Sequence, residues 1–287
     1  MNSLEISFVG SACGKNKYEP RNKIMLLLLC REYKDVYKKL FFENGSLVLL
    51  DPNKKVYDAE IKRIYSEYKK DIKNPEDFEN VENEIKKRLK TENKDIKKED
   101  LDQASNFIEN SLKKDCGTNN EISVINKMNY TKGNNRMYYY SENEWTIRGL
   151  HDAMIGNIVI EIKTRMKPQN VRKNEYDLYQ LFGYLLAMSK TVGKIVQKYN
   201  SDIYDSDIET DSEYGIIDIT MNPWKDKFET FKKELNDFFF EIRTYSDKLF
   251  DVKAVIRDNE RPIASINTDG VPCNVNPKYE KIVKTLT

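Results

Sequence analysis

The sequence has few of the residues on which many active sites depend. Its 287 residues include one histidine, His151, and four scattered cysteines without a Cys-x-x-Cys pair. The single histidine excludes multi-histidine metal sites and weakens any Ser-His or Cys-His triad. The cysteine spacing predicts neither a zinc ribbon nor a disulfide framework. A Gly-rich phosphate loop is also missing, which excludes the common nucleotide-binding signatures.

Long apolar runs and an excess of one charge are missing as well. No run approaches the ~20 apolar residues that a membrane-spanning helix needs, so we expect no membrane association. The first residues lack the features of a signal peptide and the cysteines fit reduced thiols, so we expect an intracellular protein, in the cytoplasm or the nucleus. The chain has 48 Lys and Arg against 47 Asp and Glu, which excludes nucleic-acid binding by bulk charge alone but allows a local basic groove.

The residues that carry chemistry are concentrated in the stretch 149–163. The β-branched run 158–164 predicts a strand, and Gly156-Asn157 before it has the sequence of a two-residue hairpin turn. Asp152 lies at the end of the preceding strand-like run or within it. If the two strands pair across this turn, Asp152 approaches the second strand.

Alternation along the second predicted strand places an acid and a base together. Glu161 and Lys163 are two residues apart and therefore share one face, whereas Ile160 and Ile162 point the other way into the core. In the paired hairpin, Asp152 can approach Glu161 within the reach of one divalent ion. A charged pair inside an apolar strand is costly unless it has a function.

These groups suit a hard divalent cation. Asp152, Glu161 and the backbone carbonyl of Ile162, with water in the remaining positions, form an oxygen ligand set of the kind that Mg²⁺ or Mn²⁺ prefers. Such a metal lowers the pKa of a bound water and offsets charge on a phosphate. Lys163 would orient or deprotonate that water, or stabilise the charged phosphate. Arg165 follows at period two and could extend the same face toward phosphates.

The pattern resembles that of the PD-(D/E)XK nuclease superfamily. Asp152 is followed by a spacer of eight residues and then by Glu161-Ile162-Lys163, with His151 in place of the proline. This resemblance implies a restriction-endonuclease-like α/β core and hydrolysis of phosphodiester bonds with Mg²⁺ or Mn²⁺.

Three further stretches resemble the branch of that superfamily that includes phage-type recombination exonucleases. Gln180 and Tyr184 match its Gln-x-x-x-Tyr motif, and Gly117 with Glu121 resembles its Gly…Glu helix motif. The segment that begins at Ser11 looks like its opening motif of small residues and tyrosine. The resemblance implies that Glu121 is a third metal-site carboxylate, that Gln180 positions Lys163 or a phosphate, and that Ser11 and Tyr184 contact substrate.

We therefore predict one domain over residues 1–287, with a mixed central β-sheet flanked by helices. The nuclease core would span about 104–220. A helical N-terminal part precedes it, including a charge-rich segment of solvated helices at about 58–103, and a helical extension follows at about 221–287. Nothing in the sequence argues for a particular homo-oligomer.

The function expected from these residues is a metal-dependent DNA nuclease, with exonuclease favoured over endonuclease. Three alternatives stay open. An RNA endonuclease of the same fold would use similar carboxylates and a lysine, although such sites usually add a histidine on an upstream helix. A catalytically inactive nuclease fold could serve as a nucleic-acid-binding or assembly module. A scaffold with an accidental motif predicts that the Asp152, Glu161 and Lys163 side chains diverge in space.

Overall fold

The structure is a computed structural model. The structure describes residues 2–17, 19, 21–32, 42–43, 46–47, 58–68, 78–92, 96, 98–143, 145–165, 174–199, 202–205, 215–253, 265–266 and 272–273. Most of the predicted C-terminal extension beyond residue 253 lies outside these described residues.

The N-terminal part begins with a strand and three helical segments. Strand β1 (Asn2–Glu5) leads into a 3₁₀ turn (Ile6–Phe8), the short helix α1 (Val9–Ala12) and helix α2 (Arg21–Glu32). Two short strands, β2 (Phe42–Glu43) and β3 (Ser46–Leu47), pair with each other. The small residues of α1 allow it to pack closely against a later helix, since a Cβ on Gly10 would lie 2.8 Å from the Cβ atom of Tyr176.

The charge-rich segment folds into helices, as predicted. Helix α3 (Asp58–Tyr68) and helix α4 (Phe78–Glu92) pack against the first half of the long helix α5 (Lys98–Lys127). Their apolar positions form a core of their own rather than a merely solvated surface. The fully buried members of that core are Ile64, Ile85, Leu89, Ile108, Leu112 and Cys116.

The strands that follow divide between two mixed sheets. One sheet has the order β1-β6-β5, where β5 (Tyr138–Glu142) and β6 (Trp145–Gly149) are antiparallel and β1 is parallel to β6. The other sheet has six strands. Its path runs β10 (Asp202–Asp205), β9 (Val192–Tyr199), β8 (Ile158–Arg165), β7 (Ala153–Ile155) and β4 (Thr131–Lys132), with β11 (Ile217–Asp218) also paired to β9. The prediction of mixed β-structure flanked by helices is thus confirmed, but the strands that the structure describes do not form one central sheet.

Helices cover both faces of the six-stranded sheet. Val124 and Ile125 of α5 pack with Ile160, Ile162 and Val196 on one face. Helix α6 (Glu175–Ala187) covers the other face, where its Leu181 and Phe182 belong to the same core as Val159 and Ile195. Parallel pairing of β8 and β9 requires this crossover by α6, because parallel strands cannot be joined by a tight turn.

The C-terminal helix is part of the main core rather than an appendage. Helix α7 (Trp224–Lys253) buries Phe228, Phe231, Leu235 and Phe238 against α6 and the N-terminal helices. Each fully buried side chain of this size contributes roughly 1.5–3 kcal/mol through the hydrophobic effect. A last pair of strands, β12 (Ser265–Ile266) and β13 (Pro272–Cys273), is antiparallel. Among the described residues, no helix combines the length and hydrophobicity that crossing a bilayer would require.

Candidate active site

The β7–β8 hairpin sets the position of Asp152. Gly156 in the turn has a φ of +57°, a left-handed conformation that glycine adopts at little cost. Ala153 pairs with Ile160, so Asp152 lies one residue beyond the ladder, where its Oδ2 accepts a hydrogen bond of 2.7 Å from the backbone N–H of Ile162. The predicted hairpin is confirmed, and it brings Asp152 to the edge of β8.

Gly133, in the loop before β5, also fixes the backbone at Asp152. The backbone N–H of Gly133 donates to the carbonyl oxygen of Asp152 at 2.9 Å. A Cβ at this position would lie 2.2 Å from the carbonyl oxygen of His151, so only glycine fits without displacing the Asp152 backbone.

Glu161 and Lys163 share one face of β8, as the alternation predicted. Lys163 Nζ lies 2.7 Å from Glu161 Oε1 and donates a hydrogen bond of 2.7 Å to Gln180 Oε1 on α6. The same ammonium lies 3.8 Å from Asp177 Oδ1. Burial by itself lowers the pKa of Lys163, but the carboxylates of Glu161 and Asp177 outweigh it and raise that pKa above its ordinary value. The lysine is therefore a cation held in a fixed position.

Three carboxyl groups influence one another at this point. Burial and the nearby Glu121 carboxylate raise the pKa of Asp152 from 3.8 to about 7. Burial and Asp152 raise the pKa of Glu161 from 4.5 to about 8. Burial and Glu161 raise the pKa of Glu121, near the end of α5, from 4.5 to about 7. The structure thus brings all three predicted acidic residues within electrostatic reach of each other, and their negative charges destabilise one another.

One oxygen of the Glu161 carboxylate lies in a position that favours the binding of a cation. Its side chain is buried, and Oε2 has no hydrogen-bond partner among the described residues. An anionic oxygen in this condition is costly unless a positive ligand binds it. Within the described part of the chain, no three Asp, Glu, His or Cys side chains are arranged as a ready-made metal cage. The fit therefore rests on Glu161, Asp152 and backbone oxygen, a hard donor set that suits Mg²⁺ or Mn²⁺.

The backbone of Ile162 is the further oxygen donor that the sequence suggested. Its N–H points toward Asp152, and in a β-strand the C=O of a residue points to the same edge as its N–H. Strand β7 pairs with β8 only as far as Ile160, so β7 gives this carbonyl no ladder partner. The side chain of Ile162 is buried on the opposite face, beneath α5.

Tyr184 is close to the site but does not offer a surface to substrate. Only 5% of its surface is exposed. Burial and the nearby Glu161 and Asp152 carboxylates raise the pKa of its hydroxyl, and a side-chain hydrogen bond with Gln180 acts against them. Tyr184 therefore contacts Gln180 from within the protein interior. Its predicted contact with substrate is corrected to a packing role.

Arg165 is likewise engaged inside the protein. It is buried, it forms an ion pair with Asp177, and its Nε donates a hydrogen bond of 2.7 Å to Gln197 Oε1. A further hydrogen bond of 3.3 Å runs from Nη1 to the hydroxyl of Tyr176. The predicted contact of Arg165 with phosphate is corrected, because burial and these partners leave its guanidinium group no exposed face.

Ser11 does not reach the carboxylates through any contact in the described structure. It is 1% exposed within α1, where its hydroxyl accepts a hydrogen bond of 3.1 Å from Asn16 Nδ2 and donates one of 3.5 Å to Glu19. The predicted substrate contact of Ser11 is corrected to a role in fixing the turn after α1, because its hydroxyl is buried and already hydrogen bonded.

Asp177 is the site residue that the sequence did not reveal. It lies in the first turn of α6, is 1% exposed, and pairs with both Lys163 and Arg165. An acid in the first turn of a helix is ordinarily explained by the helix dipole, which hides any other role. The available signal was its position three residues before Gln180, since residues at that spacing share one helix face.

The raised carboxyl pKa values predict that the metal-free protein loses stability as the pH rises from 6.5 to 8. The folded protein holds protons on Glu121, Asp152 and Glu161 up to about pH 7 to 8, whereas the unfolded chain releases them near 4. Stability is then greatest at low pH and is lost as the pH rises through the folded pKa values. His151 acts oppositely below 6.5, because burial lowers its pKa, and this sets the lower limit of the window.

Thermal unfolding in EDTA measures this effect, with an expected fall in Tm of at least about 5 °C across the window. Added Mg²⁺ or Mn²⁺ should remove or reverse the slope, because metal binding requires the deprotonated carboxylates. A Tm that stays constant across the window, with and without metal, would contradict the three-carboxylate site.

No protein-family model and no curated protein sequence matches this chain. One solved structure, described as the crystal structure of SSO0001, is similar at 16% identity over 72% of this chain and 97% of its own, with a TM-score of 0.34. A similarity this weak carries no argument about fold or function, so the functional conclusion rests on the site itself.

Proposed function

We propose that this protein is a metal-dependent DNA nuclease, an exonuclease built on a restriction-endonuclease-like core. The observation that carries the proposal is the convergence of Asp152, Glu161 and Lys163 on one edge of β8, with a buried Glu161 oxygen that lacks a partner. A mixed sheet with α5 on one face and α6 on the other supports the proposed core. A scaffold with an accidental motif predicts divergent side chains, contrary to this arrangement.

Each residue of the site would have its own role in phosphodiester hydrolysis. Glu161, Asp152 and the carbonyl of Ile162 would hold Mg²⁺ or Mn²⁺, with Glu121 nearby as a further acid. The bound metal would supply a more acidic water and offset charge on the phosphate. Lys163 is a fixed hydrogen-bond donor that would orient the attacking water and stabilise charge on the phosphate. Gln180 holds the lysine in place, and in-line attack by water needs no covalent enzyme intermediate.

The test compares the wild type with Lys163→Ala on end-labelled linear DNA and on closed circular DNA, in Mg²⁺, Mn²⁺ or EDTA. We expect metal-dependent loss of linear DNA only, and a decrease of at least about 10²-fold in the variant, because a positioned charge has been removed. Lys190→Ala is the matched control, since this lysine donates a hydrogen bond to Asn157 at the other end of β8.

Each other outcome redirects the assignment. Cutting of the circle by the wild type would make the protein an endonuclease. Cleavage of RNA but not of DNA, dependent on Lys163, would favour an RNA endonuclease. Absence of Lys163-dependent cleavage on either nucleic acid would remove the nuclease assignment and favour a nucleic-acid-binding or assembly module.

A further inference from the structure

The consecutive tyrosines of β5 divide between the two sides of the three-stranded sheet. Tyr138 and Tyr140 are half-buried and pack against the main core. Tyr139 points the other way and is 59% exposed. Its partner across the strands is Arg148. An exposed aromatic ring beside a guanidinium is an arrangement that stacks on and neutralises a charged, planar ligand.

Apolar side chains extend this outer face toward the active site. Met137 lies two residues from Tyr139 and Leu150 two residues from Arg148, so the alternation of the strands places all four on the same side. Met137 is 37% exposed and Leu150 is 44% exposed. Leu150 is followed directly by His151 and Asp152, so the surface ends beside the proposed metal ligands.

Three cations on or near this face differ from several arginines of the described structure in their ion pairing. Arg21, Arg63 and Arg88 each form an ion pair with a glutamate. Lys132, Arg136 and Arg148, by contrast, form no ion pair with any residue that the structure describes. Arg148 forms no ion pair even with Glu5, which lies opposite it on the neighbouring strand β1. Arg148, which has no ion pair among the described residues and lies beside the exposed ring of Tyr139, is positioned for an anion that comes from outside the chain.

The inner side of the same sheet is fixed to the active site. Gly149 lies so close to Tyr184 that a Cβ would be 2.9 Å from its ring carbon. The rings of Tyr138 and His151 meet edge to face with centroids 5.3 Å apart, and the Arg136 guanidinium lies 5.8 Å from the centroid of Tyr138. Lys132 is near enough to Glu121 to work against the burial and the Glu161 charge that raise the pKa of that acid.

We propose that this surface, the hairpin platform, binds a single-stranded segment of DNA and leads it to the carboxylates. The platform consists of Met137, Tyr139, Arg148 and Leu150 on the outer face, together with Lys132 and Arg136, which lie on the side of the active site. Tyr139 stacks on a base and the cations contact phosphates. The face of a base is available for stacking only where the strand is unpaired, so the platform selects a single strand, with little dependence on sequence. This inference rests on the proposed nuclease function and adds the form of its substrate.

The experiment measures binding of a short fluorescein-labelled oligo-dT strand to the full chain by fluorescence anisotropy, in EDTA so that no cleavage occurs. Tyr139→Ala should weaken binding between about 5-fold and about 100-fold, the range expected for loss of one stacked base. Tyr139→Phe should bind like the wild type. Phe240→Ala is the control, because Phe240 is an aromatic residue on α7 that is 72% exposed and does not belong to the platform.

The charges are tested by the salt dependence of the same binding. Lys132→Gln, Arg136→Gln and Arg148→Gln should each reduce the slope of log K against log salt by about 0.7, the value for one phosphate contact on a single strand. Lys233→Gln on α7 should leave the slope unchanged. A closed duplex should show no dependence on Tyr139.

The results separate this inference from the proposed function. Lys163-dependent cleavage with no effect of Tyr139→Ala on oligo-dT binding would overturn the platform and leave the nuclease assignment intact. Tyr139-dependent binding without any Lys163-dependent cleavage would retain the platform and remove the nuclease assignment. An equal loss of binding on a closed duplex, or a dependence seen with RNA and not with DNA, would overturn the single-stranded DNA proposal.

Discussion

Replacing Glu161 with Gln is expected to lower metal-dependent DNA cleavage by at least about 10³-fold while the protein stays folded. Gln has the same shape and keeps an Oε1 that can accept the hydrogen bond from Lys163 Nζ, now 2.7 Å away. It removes the negative charge from the buried Oε2, the atom without a partner. The loss of activity would therefore follow from the loss of a metal ligand and not from a cavity.

The same variant separates metal binding from the role of the lysine. Mn²⁺ should raise the Tm of the wild type and of Lys163→Ala, because a ligand that binds only the folded state stabilises it. In Glu161→Gln this increase should disappear. Glu229→Gln, on the exposed side of α7, is the matched control. If Glu161→Gln kept both cleavage and the Mn²⁺ effect, Glu161 would not be a metal ligand.

Replacing Asp177 with Asn is expected to lower both stability and cleavage. Its carboxylate is buried and pairs with Arg165 and Lys163, so the substitution removes the charge partner of Arg165 and one of the two carboxylates that pair with Lys163. Removal of one member of a buried ion pair costs about 3–5 kcal/mol. For a chain of this size, that corresponds to a fall in Tm of about 6–20 °C. Thermal unfolding of the metal-free protein provides the measurement.

A double variant distinguishes the structural role of Asp177 from its role in positioning Lys163. Arg165→Gln combined with Asp177→Asn removes the buried cation that Asp177 balances, so much of the lost stability should return. Cleavage should remain low, with the change in kcat rather than in KM, because Lys163 still lacks the Asp177 carboxylate. Recovery of cleavage together with stability would show that Asp177 serves the fold alone.

The corrected predictions share a physical cause. Arg165 follows Lys163 on the strand, and its sequence position does not reveal that α6 places Asp177 over it. Tyr184 and Ser11 were assigned to substrate by resemblance, but the packing of α6 against α1 and β6 buries both. In each case, the residue type and spacing are compatible with contact to a phosphate, but packing against residues distant in the chain buries the side chain.

In the fold as well, the local elements were predicted, whereas their packing depends on residues far apart in the chain. The charge-rich segment was predicted to be helical, but the core shared by α3, α4 and α5 depends on which helices meet. The strand-like runs were predicted near their observed positions, yet their division between two sheets depends on pairings such as that of β1 with β6, far apart in the chain. The helix after residue 223 was predicted as an extension, whereas its aromatic face completes the main core.

The β7–β8 hairpin and the shared face of Glu161 and Lys163 follow from the local sequence. A glycine turn and the alternation of side chains are local properties, and they hold wherever the strand is placed. Long-range packing decides that Asp177 contacts Lys163 from α6, and that Tyr139 rather than Tyr138 or Tyr140 faces outward. Burial, pKa and the choice of ion-pair partner depend on which elements pack together, and that packing is a property of the whole chain.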